Sequence, residues 1–261
     1  MVELKSLDSI NIDQPRRVMK YVLVWCESGT LTLQIDGSDF SLSPREAVTI
    51  TSGQIHFFKD NRAKGYILEF TYDFFCKDDN DVELIFENGL FCHFDDNQII
   101  ELINHKTVHK QFELIEKELH ERPYQYLTSV HSRIELILVE LNRSKVGRGD
   151  EIWKPDALFL KFLELVRASF DTNQTLANYA DELHTSEQKL NEQAKTHTGK
   201  TAQMVIYGLI TSEAKRLLTY EPSLSVKEIA FQLGFNDPFY FSNFFKKQIG
   251  VSPKAYREQI D

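Results

Sequence analysis

The chain has 261 residues, 42% of them hydrophobic and 26% charged, a composition typical of soluble globular proteins and long enough for two domains. No apolar run approaches the roughly 20 residues of a membrane span, and residues 1–13 carry acids without a signal-peptide core. The cysteines are three in number and all lie in the first half, which predicts free thiols in a reducing compartment. Together these features predict a cytoplasmic protein.

Short strands are predicted from about residue 20 to about residue 75. The apolar side chains of Leu31, Leu33 and Ile35 alternate with polar ones, so they share one face of a strand. Asp36 and Gly37 follow, a pair favoured in tight hairpin turns, and the alternation then resumes. Many short strands separated by turns predict an antiparallel barrel or sandwich.

From about residue 96 to residue 145 the apolar period lengthens to that of an α-helix. Two stripes follow each other with Pro123 between them. Their members are Val108, Phe112, Ile115 and Leu119, then Leu127, Val130, Ile134, Ile137, Leu138 and Leu141. Stripes of this kind can pack on each other and on a neighbouring sheet.

The stretch 146–156 contains Gly147, Gly149 and Pro155 among charged residues, which predicts a linker. It separates a first domain, 1–145, from a second domain, 157–261. A helix is predicted from about residue 156 to residue 169, and a longer one spans 204–218.

One pattern occurs twice in the second domain. Ala180, Leu183, Leu190, Lys195 and Gly199 of the first copy recur as Ala230, Leu233, Phe241, Lys246 and Gly250. Each copy predicts a short helix, a tight turn and a second helix, and the small alanine lets the two helices cross closely. This is the helix-turn-helix plan, whose second helix enters the major groove of DNA. A repeat at fixed spacing is a stronger signal than either copy alone.

The second copy carries a start or stop signal at each helix end. Ser225 and Glu228 form the sequence of a capping box, which starts the first helix. Gly234 permits the tight turn, Asp237 caps the following helix, and Pro238 suits its first position.

The net charge of −9 is unevenly distributed. Residues 1–154 hold 18 Lys and Arg against 26 Asp and Glu, whereas residues 155–261 hold 12 against 13. The segment 222–257 has five basic and two acidic residues. Because phosphate contacts require local positive charge, this segment is the predicted electrostatic contact with DNA.

Residues 155–258 resemble the DNA-binding domain of the AraC/XylS family of bacterial transcription regulators. The resemblance is carried by IAFQLGFNDPFYFS (229–242), FFKK (244–247) and GVSPKAYR (250–257). The first copy departs from the pattern at Ala194, where an aromatic residue is usual.

The resemblance implies two groups of DNA contacts. The residues placed toward base edges are Gln188, Asn191, Glu192, Phe239, Ser242 and Asn243, and those placed toward phosphates are Lys195, Lys246 and Lys247. Gln and Asn side chains can each bond adenine twice, and Glu can accept from cytosine N4. The alternative for each polar residue is an ordinary solvated helix face.

The family often carries an N-terminal cupin-like barrel, whose loose pattern includes the run from Gly53 to His56. The resemblance therefore implies an α+β multi-domain protein: a cupin-like antiparallel β-barrel with a helical dimerisation region, then an all-α domain with two helix-turn-helix motifs joined by a linker helix. His56 is either a locally bonded residue at the barrel mouth or a ligand contact. Trp25, Tyr66 and Glu69 are further candidates for the same cavity, with core packing as the alternative for the aromatics. Catalytic cupins bring a His-x-His pair, which this chain lacks, so no metal or other cofactor is expected.

The predicted function is sequence-specific regulation of transcription, with activation the family's usual output. The resemblance further implies double-stranded DNA and RNA polymerase as partners, a small-molecule effector in the barrel, and a homodimer formed through the helical stripes. Two alternatives stay open: a cupin-type small-molecule enzyme, and a ligand-independent regulator whose barrel only dimerises.

Overall fold

The computed structural model describes residues 1–10, 14–91, 97–149, 155–172 and 174–259, and every structural statement concerns these residues. They form two compact units, Met1–Pro155 and Asp156–Asp261. Residues 150–154 of the predicted linker, and Cys92, lie outside the described residues. None of the described helices combines the length and the apolar character that crossing a membrane requires.

The N-terminal unit contains two antiparallel sheets. Its strands are β1 (Val2–Ser6), β2 (Arg16–Arg17), β3 (Tyr21–Ser28), β4 (Leu31–Ile35), β5 (Ser38–Leu42), β6 (Glu46–Ile50), β7 (Ile55–Asn61), β8 (Lys64–Phe70) and β9 (Ile99–Glu101). The first sheet has the order β1-β8-β3-β6-β9 and the second the order β2-β7-β4-β5. The predicted hairpin is confirmed, because Asp36 and Gly37 both take positive φ between β4 and β5.

The predicted antiparallel β region is present, but its described strands do not close into a barrel. The described strands pair within two separate sheets, and apolar residues of both sheets fill the space between them. The run from Tyr21 to Cys26 in β3 is buried at every position. This follows because one face of its sheet meets the second sheet and the other meets helices.

Helices cover the outer face of the first sheet. They are α1 (Tyr72–Phe75), α2 (Asp79–Phe86), α3 (His105–Glu121) and α4 (Tyr126–Gly147). The residues of the two predicted stripes on α3 and α4 are mostly buried inside this unit, with Leu127 a 43%-exposed exception. The short helices α1 and α2 were not predicted from the sequence, and β9 lies where helical periodicity was expected.

The C-terminal unit is entirely helical among its described residues. Its helices are α5 (Ala157–Ser169), α6 (Leu176–Glu182), α7 (Glu187–Thr198), α8 (Ala202–Tyr220), α9 (Val226–Gln232), α10 (Pro238–Ile249) and α11 (Pro253–Glu258). The predicted helices at 156–169 and 204–218 correspond to α5 and α8. The long helix α8 packs against both short helix pairs, α6 with α7 and α9 with α10.

The predicted helix boundaries of the second copy are confirmed. The Ser225 hydroxyl accepts from the Glu228 N–H, and the Glu228 carboxylate accepts from the Ser225 N–H. Asp237 caps α10, and Pro238 is its first residue. In the turn, Gly234 has φ of +76°. The equivalent residue of the first copy, His184, has φ of +50°. This left-handed conformation is unfavourable for any residue other than glycine, because the Cβ atom approaches a backbone carbonyl oxygen.

Candidate functional sites

The four predicted ligand contacts of the N-terminal unit do not line one cavity: Trp25, Tyr66 and Glu69 belong to the first sheet, and His56 belongs to β7 of the second. Tyr66 and Glu69 are three residues apart in β8, so their side chains point to opposite faces. Trp25 lies opposite Tyr66 across β3 and β8, and the two rings stack with Phe112 of α3. The two aromatics therefore belong to the packing between sheet and helix.

His56 and Glu69 do come together, between the two sheets. Arg16 joins them: its Nε donates to His56 Nε2 at 3.0 Å, and its Nη2 donates to Glu69 Oε1 at 2.8 Å. Lys5 Nζ lies 3.0 Å from Glu69 Oε1, and Lys20 Nζ lies 3.3 Å from Glu69 Oε2. None of these three cations could be predicted from the sequence, because the cluster assembles residues from several strands that are distant along the chain.

The electrostatics of this polar cluster fix its charges. Burial and the neighbouring Arg16 charge lower the pKa of His56 to about 4, so its ring is neutral at pH 7 and accepts from Arg16. Burial by itself raises the pKa of Glu69, but the bonds and charges of Lys5 and Arg16 outweigh it, and the pKa is lowered. Glu69 is therefore an anion although its residue is only 1% exposed.

A group of potential metal ligands lies on α2 and α4. Asp81, His131 and Glu135 bring one ligand atom each within 4.8 Å of the others. The two carboxylates, however, face different ring atoms: Asp81 lies 3.3 Å from Nε2 and Glu135 lies 3.5 Å from Nδ1. Nε2 also lies 2.8 Å from the carbonyl oxygen of Phe75. Since one ion bonds one ring nitrogen, the two carboxylates at opposite ring nitrogens do not converge on one metal position.

In the C-terminal unit, α10 has a buried side and an opposite, solvated side. Phe241 and Phe245 are fully buried. Since successive residues turn by about 100°, Phe239, Asn243 and Lys246 project away from them, and all three are exposed. Lys247 is exposed beside them. Four predicted DNA contacts thus share one face.

Helix α7 repeats this arrangement. Leu190 and Ala194 are buried, while Gln188, Glu192 and Lys195 are exposed on the opposite side. These three residues occupy the positions of Phe239, Asn243 and Lys246 in the second copy. The two copies thus present three equivalent side chains each.

Asn191 and Ser242 are the remaining predicted contacts, and they also occupy equivalent positions. Both are half-buried, and both donate to the carbonyl of the fourth preceding residue, Glu187 and Pro238 respectively. The Oδ1 atom of Asn191 also accepts from the N–H of Ala202, the first residue of α8. These side chains bond their own domain, unlike the three exposed positions.

The second of these helix pairs and most of the first lie within a known type of domain. Residues 179–259 match a family model described as a helix-turn-helix domain. The chain is 32% identical over 125 residues to the HTH-type transcriptional activator RhaS of Escherichia fergusonii, which covers 48% of this chain and 44% of RhaS. It is 33% identical over 104 residues to the HTH-type transcriptional activator RhaR of Klebsiella pneumoniae, covering 40% and 37%.

These similarities support the resemblance of the C-terminal part of the chain to the AraC/XylS family. The matches span less than half the length of these curated relatives. Among solved structures, the C-terminal domain of AraT, a response regulator from Geobacillus stearothermophilus, is 28% identical, with a TM-score of 0.37 over 39% of this chain and 84% of its own. Unsaturated fatty acid bound ToxT from Vibrio cholerae is 16% identical, with a TM-score of 0.42 over 98% and 94%.

The positive charge of the C-terminal unit is less available for DNA contacts than the sequence indicates. Arg257, counted in the basic segment, donates from Nε to the Leu218 carbonyl and from Nη1 to the Leu224 carbonyl. It therefore fastens α11 to the end of α8. In the first copy, Glu192 pairs with Lys189 at 3.2 Å. Lys246 and Lys247 remain as exposed cations in the last turn of α10.

Proposed function

We propose that the protein is a sequence-specific DNA-binding regulator of transcription. In this proposal it is located in the cytoplasm and activates transcription together with RNA polymerase. The observation that carries the proposal is the pair of matched outward faces on α7 and α10. Each face combines polar or aromatic side chains with a lysine, as a helix in the major groove requires. The relatives with which the C-terminal part of the chain aligns are themselves named as activators.

The two faces have different chemistry, so we assign them different bases. On α7, Gln188 can bond the two edge atoms of adenine and Glu192 can accept from cytosine N4. On α10, Asn243 has the adenine chemistry, and the exposed ring of Phe239 is suited to the methyl group of thymine.

The remaining predicted contacts set position. Lys195, Lys246 and Lys247 contact phosphates. Asn191 and Ser242 hold their helices in place through the bonds to their own domain. In this proposal α6 with α7 and α9 with α10 are two helix-turn-helix motifs, which enter adjacent major-groove segments about 34 Å apart.

The N-terminal unit is, in this proposal, a cupin-like sensor that also dimerises. Most of the predicted stripe residues are used inside the unit, but Leu136 of α4 is 51% exposed and Leu127 is 43% exposed. We assign the dimer contact to the side of α4 that carries Leu136, because Leu127, nine residues earlier, projects from the opposite side of the helix. Sedimentation velocity between 1 and 100 μM, chosen to span an interface of micromolar affinity, should show a dimer that Leu136→Glu dissociates. A monomer throughout that range contradicts the assignment.

DNA binding is tested with the full chain on the DNA upstream of its own gene. A footprint at low salt should protect two segments per subunit, separated by one helical turn. Asn243→Ala should weaken binding by about tenfold, the loss of a base contact worth roughly 1 to 3 kcal/mol. The matched control is Gln248→Ala, because Gln248 is exposed on the same helix but points away from the Asn243 face.

Salt dependence separates phosphate contacts from base contacts. Lys246→Ala should weaken binding to all sequences alike and reduce the slope of log K against log salt by about 0.9. Asn243→Ala should leave that slope unchanged. The absence of any footprint at low salt, with and without a cell extract that supplies an effector, would refute the proposed function.

A further inference from the structure

Helix α7 carries an ion pair on the exposed side that the proposed function directs at DNA. Lys189 and Glu192 are the third and sixth residues of α7, and Lys189 Nζ lies 3.2 Å from Glu192 Oε2. Their side chains are 46% and 63% exposed. In a helix that enters the major groove, the residues of the N-terminal half are those that contact base edges. In the proposed function the pair therefore lies where base contacts are made.

Neither stability nor net charge explains this pair. An exposed ion pair of this spacing contributes little to the free energy of unfolding. The exposed charged residues of α7 are two bases and two acids, namely Lys189, Lys195, Glu187 and Glu192, so their charges cancel. The helix has no excess of positive charge with which to attract phosphates. A carboxylate on its DNA-facing side therefore needs a hydrogen-bond donor among the bases.

The ends of the two side chains provide one donor and one acceptor close together. The Lys189 ammonium donates and the Glu192 carboxylate accepts. In the major groove, O6 of guanine accepts and N4 of cytosine donates. These two base atoms are hydrogen-bonded to each other in the base pair, so they lie about 2.9 Å apart. The 3.2 Å between Nζ and Oε2 matches this spacing, so both protein–base bonds can form while the ion pair stays intact.

The order of donor and acceptor also distinguishes the four base pairs, each written with the base beside Lys189 first. G·C offers O6 and N7 as acceptors to Lys189 and N4 as a donor to Glu192. T·A offers O4 and N6, but adenine N7 then places a second acceptor beside the carboxylate. C·G and A·T put a donor opposite the ammonium and an acceptor opposite the carboxylate. The pair therefore fits G·C best.

We propose that Lys189 and Glu192 together recognise one G·C base pair, with Lys189 bound to guanine and Glu192 bound to cytosine. This inference rests on the proposed function, and it adds Lys189 as a residue that determines specificity. The second copy has Tyr240 at the position of Lys189 and Asn243 at that of Glu192, so it lacks the ion pair. The two motifs therefore recognise different bases, and the two segments of the binding site differ in sequence.

The first step of the test finds the base pair that the wild type requires. In competition binding with the full-length protein, each base pair of the two protected segments is replaced in turn by the other three. One position should require G·C, and each replacement there should weaken binding by about tenfold.

The second step exchanges the two charges. The double variant Lys189→Glu with Glu192→Lys keeps the net charge and places the acceptor where the donor was. It should invert the preference at that position from G·C to C·G. The matched control exchanges Lys110 and Glu113, an exposed pair of the same spacing at 3.0 Å on α3, and should keep the wild-type preference.

Lys189→Met removes the guanine contact alone. It should narrow the preference for G·C over C·G by about tenfold, because Lys189 no longer favours the first or opposes the second. The dependence of binding on salt should stay as in the wild type, since a base contact displaces no phosphate counterion.

An unchanged preference after the exchange of Lys189 and Glu192 overturns the proposal. A Lys189→Met variant that weakens binding to all sequences alike and lowers the salt slope also overturns it, because that is the result of a phosphate contact. A footprint without any position that requires G·C overturns this inference and leaves the proposed function standing. The absence of a footprint by the wild type refutes the proposed function itself.

Discussion

Replacing His56 by glutamine should remove a pH-dependent step from the free energy of unfolding. The folded pKa of His56 is lowered to about 4 from 6.5, so the unfolded chain binds more protons between these values. The contribution of the neutral His56 ring to the free energy of unfolding is fully present above pH 6.5 and is lost as the pH falls toward 4. At 1.36 kcal/mol per pKa unit, the loss between pH 7 and pH 4.5 is about 2 to 3 kcal/mol.

The pH window isolates this residue from the carboxylates of the same cluster. The pKa values of Glu3 and Glu69 are lowered below 4.5, so their contributions are lost only at lower pH. Glutamine was chosen because its amide oxygen can replace His56 Nε2 as the acceptor for Arg16 Nε.

The assay is urea unfolding between pH 7 and pH 4.5, followed by tryptophan fluorescence. Both tryptophans of the chain, Trp25 and Trp153, precede Pro155, so the signal reports on the N-terminal part. The control is His120→Gln, an exposed position on α3, which should keep the wild-type pH dependence. If the unfolding free energy of His56→Gln falls with pH as steeply as that of the wild type, the conclusion that His56 is buried and neutral is refuted.

Four further substitutions test the turns, the packing and the capping by urea unfolding. Gly234→Ala should lower the unfolding free energy by about 1 kcal/mol and His184→Gly should raise it by a similar amount, because both positions have positive φ; effects of equal sign would contradict this. Phe112→Ala should cost about 3 to 5 kcal/mol, since the ring is fully buried in an aromatic stack; a cost below 1 kcal/mol would exclude that packing. Ser225→Ala should cost about 1 kcal/mol through loss of the cap, with the exposed turn residue Ser223 as the control for Ser→Ala; equal effects at the two serines would argue against the capping box.

Local chemistry made much of the C-terminal domain predictable. The capping box at Ser225, the Asp237 cap and the turn at Gly234 each depend on residues within a few positions of one another. The repeat indicates that two segments have the same arrangement of helices, so a weak signal in one copy can be interpreted from the equivalent position of the other. The exposed side of α10 follows from the same periodicity, because burial of Phe241 and Phe245 determines where Asn243 points.

The sequence by itself also determined the opposite directions of Tyr66 and Glu69, through the two-residue period of a strand. Only the tertiary structure decided what each side meets. In β3 both faces are buried, so no alternation in the sequence distinguishes the helix side from the sandwich interior. The grouping of Arg16, His56 and Glu69 likewise joins three strands distant in sequence. Such contacts depend on how sheets and helices stack, which the periodicity of a single segment does not encode.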